Sequence, residues 1–117
     1  MMTEKGTLPV GVEYEGKPQR DFELRPQLVQ DSVDAVEEER AQRNESYLGV
    51  CVLAKQLTKL GDIPKEKITP TLLMGMYEAD LGVISAAARR LQQRLARFSG
   101  ADEAPEKGAA GVEKAGV

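Results

Sequence analysis

Residues 7–25 of the chain read TLPVGVEYEGKPQRDFELR, and this stretch separates an α+β fold from an all-helical one. Its first half alternates apolar and polar side chains around Val10 and Val12, and its second half does so around Phe22 and Leu24. Alternation with period two on both sides of a glycine-containing turn is typical of a β-hairpin. A lone hairpin is marginally stable in water, so we expect it to pack on helices or to gain a third strand from a partner.

The residues after the hairpin, 27–99, have apolar side chains at helical spacing. The most hydrophobic segment, 46–60, predicts a central core helix that begins after Ser46 as N-cap and stops at Gly61. Cys51 falls on the apolar face of this helix, where we expect a buried, inert thiol.

Further helices are predicted beyond the central one. Thr69 as N-cap, with Pro70 at the first helical position, predicts the start of a short helix. Asp80 is predicted to cap a last helix whose apolar positions keep a spacing of three to four: Ile84, Ala88, Leu91, Leu95 and Phe98. The fold class that follows is α+β, mostly α, with an N-terminal β-hairpin packed on a small bundle of three to four helices.

Composition divides the chain into one domain and two ends. Residues 1–6 are expected to form a flexible N-terminus. Residues 100–117 are rich in Gly, Ala, Glu and Lys without an apolar period, so we expect a disordered C-terminal tail. A single domain remains over 7–99, which suffices for one modest core.

Charge is distributed unevenly, although the net charge of the whole chain is only −3. Acidic residues dominate 31–39, and basic residues dominate 89–97. Two helices of opposite charge are therefore expected to lie near each other; solvated charge runs are the alternative. The acidic balance argues against non-specific binding of DNA, which needs a basic surface.

The residue types that supply most catalytic and metal-binding groups are scarce, because the chain has no histidine and one cysteine. The carboxylates of Glu37, Glu38 and Glu39 point in three directions on a helix and do not converge on an ion. No spacing matches a zinc site, an EF-hand loop or a P-loop. We expect no enzyme, no cofactor and no metal.

The cellular setting is predicted from cysteine usage and hydropathy. A single cysteine forms no internal disulfide, which fits a reducing cytoplasm. The N-terminus lacks the apolar core of a signal peptide, and the longest apolar run, 49–54, is too short to span a bilayer. We expect a soluble cytoplasmic protein without membrane partners.

Three stretches carry a family resemblance: LPVGVEYEGK at 8–17 running into FELRP at 22–26; LAKQL at 53–57 with KLGDIP at 59–64; and ITP at 68–70 with LLMGM at 72–76 and EAD at 78–80. In their order and spacing they resemble the Mu-like family of bacteriophage tail assembly chaperones. The resemblance covers about residues 7–98. The charged segment 34–45 departs most from the family.

The resemblance implies a function without chemistry. Chaperones of this family bind the tape measure protein, a long and largely helical rod that sets tail length. They keep it soluble and extended in the host bacterial cytoplasm until tail tube subunits polymerise around it, and they are absent from the mature virion. In many such phages a programmed frameshift makes a longer form that recruits the tail tube protein. Self-association into a homo-oligomer is also expected here.

Two apolar stripes are candidate contact surfaces for a helical partner. The last helix combines apolar side chains with a neighbouring arginine stripe: Arg90, Leu91, Arg94, Leu95, Arg97 and Phe98. The short helix after Pro70 offers a second, adaptable set: Leu72, Leu73 and Met76. Ordinary packing in the core is the alternative for both stripes.

Two other functions remain open on the sequence alone. A small phage tail or head structural or completion protein would be retained in the particle. A helical regulatory nucleic-acid-binding protein would bind through the arginine stripe, with steep salt dependence. No nucleic acid is expected as a partner of the leading candidate.

Overall fold

Three antiparallel strands and five α-helices make up the described part of the chain, residues 2–98, in this computed structural model. The strands are β1 (Glu4–Tyr14), β2 (Lys17–Leu24) and β3 (Leu57–Leu60), in the order β1-β2-β3. The helices are α1 (Val29–Val36), α2 (Glu39–Arg43), α3 (Glu45–Gln56), α4 (Pro70–Met74) and α5 (Glu78–Phe98), with a 3₁₀ turn at Lys65–Lys67. The predicted tail, 100–117, lies outside the described residues.

The predicted hairpin is confirmed, and with it the α+β fold class. Its first strand begins earlier than expected, because Glu4 already pairs with Leu24 of β2. Residues 4–6 therefore belong to the sheet, and the prediction of a flexible N-terminus over 1–6 is wrong for them. An ion pair between the Glu4 carboxylate and α5 explains why the strand extends this far.

The third strand comes from the chain itself rather than from a partner. Leu57–Leu60 pairs antiparallel with β2, with Leu60 opposite Phe22 and Leu57 opposite Leu24. The prediction of one helix over 46–60 is therefore wrong at its C-terminal end. Its last four residues fit helical spacing, but they pair with β2 and bury two leucines by joining the sheet.

The start of α3 also differs from the prediction. The N-cap of α3 is Asn44, whose side chain accepts the N–H of Tyr47 at 3.1 Å, rather than Ser46. Before it, the stretch 27–43 forms two short helices, α1 and α2. By contrast, the predicted Thr69 cap is confirmed, since its hydroxyl accepts the N–H of Leu72 at 3.2 Å.

The core lies between the sheet and the long helix α5, and it is almost wholly aliphatic. Its fully buried large apolar side chains come from every layer of the fold: Leu8, Leu24, Leu57, Leu60, Leu73, Ile84 and Leu91. Cys51 is buried as predicted, on the side of α3 that faces inward. Close packing of α5 on β1 makes the N-terminal strand an integral part of this core.

Candidate partner-binding surfaces

The predicted contact residues of α5 do not form one open surface. Leu91 is buried in the core, and Leu95 is half-buried. Arg97 is exposed, whereas the side chain of Phe98 lies outside the described part of the chain. The prediction of an apolar partner surface on α5 is therefore wrong at Leu91, which packs against the protein's own sheet.

Two of the four arginines on α5 are already engaged within the protein. Arg90 Nε lies 3.0 Å from Glu4 Oε2, and Arg94 binds Glu4 Oε1 as well as the Thr3 carbonyl oxygen, at 3.1 Å. The hydrogen bond from Arg90, together with the neighbouring charge of Arg94, holds the pKa of Glu4 below its usual value. These arginines find their counter-charge in β1, not in the acidic segment 31–39, and they fasten the N-terminal strand to α5.

The predicted residues around α4 divide between the core and an exposed groove. Leu73 is buried in the core, so its prediction as a contact residue is wrong. Leu72 and Met76 are half-buried and line a groove of about 790 Å³ between the hairpin and α4. We call this the hairpin–α4 groove; it is lined by Val10, Gly11, Val12, Glu13, Pro18, Thr71, Leu72, Gly75, Met76 and Tyr77.

Large apolar side chains stand open to solvent along the hairpin–α4 groove. Val10 is 47% exposed and Tyr77 is 65% exposed, while Met74 beside them is also exposed. Methionine and tyrosine adapt to differently shaped apolar partners with little loss of contact area. The groove therefore has the composition of a surface that accepts another protein segment.

A bulge in β1 builds the hairpin side of this groove. The ladder runs from Thr7 opposite Asp21 to Val12 opposite Gln19, so that the four residues 8–11 face only Arg20. Gly11 permits the turn of the backbone here, since its φ is +105°. As a result, Val10 has no partner in β2 and lies beside α4.

Two side chains hold the bulge in place. The buried Asp80 carboxylate accepts the N–H groups of Val10 and Gly11 at 2.9 and 2.8 Å. Arg20 Nε donates to the Leu8 carbonyl oxygen at 2.8 Å. Asp80 was predicted as the cap of the last helix; instead it is the third residue of α5, and its carboxylate lies where the helix dipole favours negative charge.

A second apolar surface lies around α1 and α3 and was not predicted as a contact site. Val29, Val33 and Val36 of α1 form an exposed row that we call the α1 ridge. Beside it runs a groove of about 600 Å³ between α1, α3 and α5, the α1–α3–α5 groove. Its apolar lining consists of Val36, Leu48, Val50, Val52, Leu53, Leu81 and Ala88.

The sequence contained one signal for this second surface. The apolar residues of α1 have helical spacing, but the positions between them hold Asp31 and Ala35, and these are the buried ones. Helical periodicity assigns residues to faces without stating which face is covered. Asp31 pairs with the nearby Arg25 and is buried, so the apolar face of α1 turns outward.

That ion pair fixes the orientation of α1. Arg25 Nη1 and Nη2 each donate to one oxygen of Asp31 at 2.8 Å, and the N–H of Leu28 reaches Asp31 Oδ2 at 2.8 Å. The hydrogen bonds from Arg25 lower the pKa of Asp31 below its usual value, although burial opposes them. A bidentate pair of this kind holds the helix in one rotation about its axis.

Titratable side chains are scattered over the described residues. Among residues 2–98, no group of three or more His, Cys, Asp or Glu is placed to hold a metal ion. Burial raises the pKa of the Cys51 thiol, which disfavours the thiolate that reacts. Within the same range, no helix is both long enough and apolar enough to cross a membrane.

No family model matches this chain, and no curated protein or solved structure matches it either.

Proposed function

We propose that the protein is a phage tail assembly chaperone that binds the helical tape measure protein and keeps it soluble and extended. The observation that carries the proposal is the exposed hairpin–α4 groove, in which Leu72, Met76 and Tyr77 stand beside Val10. An amphipathic helix binds such a groove through its apolar face. The resemblance of residues 7–98 to the Mu-like tail assembly chaperones is the second support.

The finer parts of the proposal follow the same resemblance. The chaperone would act in the host bacterial cytoplasm and be absent from the mature virion. A longer, frameshifted form would recruit the tail tube protein. Binding without turnover agrees with a surface built from apolar side chains rather than from convergent titratable groups.

The nucleic-acid alternative is weakened by the arrangement of the arginine stripe. Arg90 and Arg94 share the carboxylate of Glu4, so part of their charge is neutralised within the protein. Phosphate binding depends on basic side chains that are free to release counterions from the nucleic acid. The structural-component alternative stays open to the experiment below.

The test is co-expression with the tape measure protein of the same phage or prophage cluster, followed by affinity pull-down and size-exclusion chromatography. We expect the tape measure protein to be soluble only with this chain present, and the two to co-elute. A tape measure protein that is soluble alone and elutes separately would favour a structural component of the particle.

A matched pair of variants locates the binding surface. Val10→Lys places a charge in the hairpin–α4 groove, and Val33→Lys makes the same change on the α1 ridge at nearly equal exposure, 47% against 49%. We expect Val10→Lys to weaken the complex by about tenfold or more, because a charge replaces an apolar contact. Val33→Lys should leave the complex intact; the reverse pattern would contradict the assignment of the groove.

A further inference from the structure

The α1 ridge is the most exposed apolar row that the described residues contain. Val29 is 81% exposed, Val33 and Val36 are close to half-exposed, and Leu28 just before the helix is similarly open. Their spacing of i, i+4 and i+7 aligns them along one face of the helix. Monomeric proteins seldom leave a contiguous apolar row uncovered, so the ridge is expected to have a partner.

The ridge borders a groove into which a ridge of the same shape fits. Val36 belongs to both: it ends the ridge, and with Ser32 it lines one wall of the α1–α3–α5 groove. The far wall and floor come from α3 and α5, through side chains such as Leu48 and Leu81. A ridge next to a groove is self-complementary under a two-fold rotation, in which each copy inserts its ridge into the groove of the other.

The charges at the two ends of the groove are opposite. One end lies where α1 finishes and α3 begins; it carries Glu45 in the lining and the exposed Glu37 directly after Val36. The other end lies at Gln27 and Gln56, where the exposed Arg89 of α5 lines an adjoining depression. A two-fold axis across the groove brings the acidic end of each copy against the basic end of the other.

From this geometry we propose that a second copy of the chain covers the α1 ridge, so that the protein forms a two-fold symmetric dimer. The α1 ridge of each copy lies in the α1–α3–α5 groove of its partner, and Arg89 of each copy faces Glu37 and Glu45 of the other. The hairpin–α4 groove stays open in this dimer, because it is built by the hairpin and α4, none of whose residues line the α1–α3–α5 groove. The dimer therefore presents two partner-binding grooves.

The first experiment measures the mass of the full chain in solution by sedimentation equilibrium. Over about 1–200 μM, a range that covers micromolar affinities, we expect a mass approaching twice the 12.8 kDa of one chain. Val33→Lys should raise the dissociation constant about 100-fold or more, since symmetry places two charges in the apolar contact. Val10→Lys, the matched control, should dimerise like the unmodified chain.

A charge exchange tests the two-fold arrangement itself. Arg89→Glu alone should weaken the dimer several-fold, and so should Glu37→Arg with Glu45→Arg. All three changes together should restore most of the affinity, because the opposite charges face each other again. This restoration distinguishes a direct contact from general destabilisation, since folding is checked for each variant by circular dichroism.

Several outcomes would overturn the proposal. They are a monomer at the highest concentration, a Val33→Lys variant that still dimerises, or a triple charge variant no tighter than its parents. A monomer whose tape measure binding is lost in Val33→Lys but kept in Val10→Lys would assign the ridge to that helical partner instead. The dimer measurement needs no tape measure protein, so its failure is separate from failure of the proposed function.

Discussion

At the scale of single residues, Asp80 connects the two ends of the domain. It lies 70 positions from Val10 in sequence, yet its carboxylate accepts the N–H groups of Val10 and Gly11. These donors lie in a bulge that the β1–β2 ladder does not pair. One carboxylate thus accepts from two backbone groups that the ladder leaves unpaired, and it positions the hairpin side of the proposed partner groove.

Replacing Asp80 should be costly for that reason. Asp80→Ala leaves two backbone donors without acceptors, and we expect the free energy of unfolding to fall by about 2–4 kcal/mol. Glu78→Ala is the control, because Glu78 is exposed in the first turn of the same helix. Its loss in the free energy of unfolding should be only a few tenths of the loss for Asp80→Ala. Urea denaturation measures both; equal losses would contradict the role given to Asp80.

Gly61 is a second position where one residue type is required. Its φ is +54°, and a Cβ atom there would lie 2.1 Å from Oε1 of the buried Gln19. That oxygen accepts the N–H of Asp62 at 2.8 Å. Gly61→Ala would therefore strain the backbone and displace a hydrogen-bonded side chain, so we expect a loss of about 2–3 kcal/mol.

The control for Gly61 is a glycine with open space around it. Gly82 lies inside α5, and a Cβ atom there meets nothing within 4 Å. Gly82→Ala should raise stability by up to about 1 kcal/mol, since alanine favours helix. Thermal unfolding of both variants gives the comparison, and a stabilised Gly61→Ala would refute the steric argument.

At the scale of elements, Lys65 marks where α3 stops. Its ammonium donates to the carbonyl oxygens of Ala54, at 3.1 Å, of Lys55, at 3.3 Å, and of Leu57. The last carbonyl groups of a helix have no hydrogen-bond donors within the helix, and the Lys65 ammonium supplies donors to them at the end of α3. Burial of the ammonium lowers the pKa of Lys65, although part of its side chain stays exposed.

We expect Lys65→Met to loosen the junction between α3 and β3. Methionine keeps the length of the side chain but donates no hydrogen bond, and the loss should be about 1–2 kcal/mol. Amide hydrogen exchange should quicken at the last turn of α3 and in β3, ahead of the core of α5. Lys59→Met changes an exposed residue of β3 and should leave amide exchange unaltered. Equal acceleration of exchange in the two variants would contradict the role given to the Lys65 ammonium at the end of α3.

At the scale of the whole molecule, ion pairs join successive elements at Arg25 and Asp31, and the two ends of the domain at Glu4 and α5. Arg25 holds Asp31, and Arg90 with Arg94 holds Glu4; both carboxyl groups have a lowered pKa for this reason. A lowered pKa in the folded state means that the stabilisation is present above the pKa of the unfolded chain. It is lost as pH falls through the still lower pKa of the folded state.

Acid should therefore weaken the fold. Stability should decline below about pH 4, where the carboxylates of the unfolded chain begin to bind protons.

Asp31→Asn should lower the free energy of unfolding by about 2–3 kcal/mol at neutral pH, because Arg25 loses its partner in a largely buried site. The variant should approach the unmodified protein at low pH. Denaturant midpoints measured against pH test this, with the exposed Glu66→Gln as control; parallel curves for Asp31→Asn and the unmodified chain would contradict it.

The amino-acid sequence by itself determined the local features. Alternation predicted the hairpin, Thr69 and Pro70 marked the start of α4, and helical spacing placed Cys51 on an apolar face that is buried. These features depend on residues close together in the chain, where spacing and capping chemistry act directly. The family resemblance and the partner it implies remain proposals.

Only the tertiary structure decided which faces are covered. Leu57–Leu60 fits a helix by spacing, but it joins β2 because a strand 33 or more positions away offers hydrogen bonds and a place in the core. Asp31 is buried because it pairs with Arg25, and this leaves the apolar face of α1 exposed. Arg94 pairs with Glu4 because α5 lies across β1. Periodicity states which residues share a face; long-range contacts determine whether that face meets the core, an ion pair or a partner.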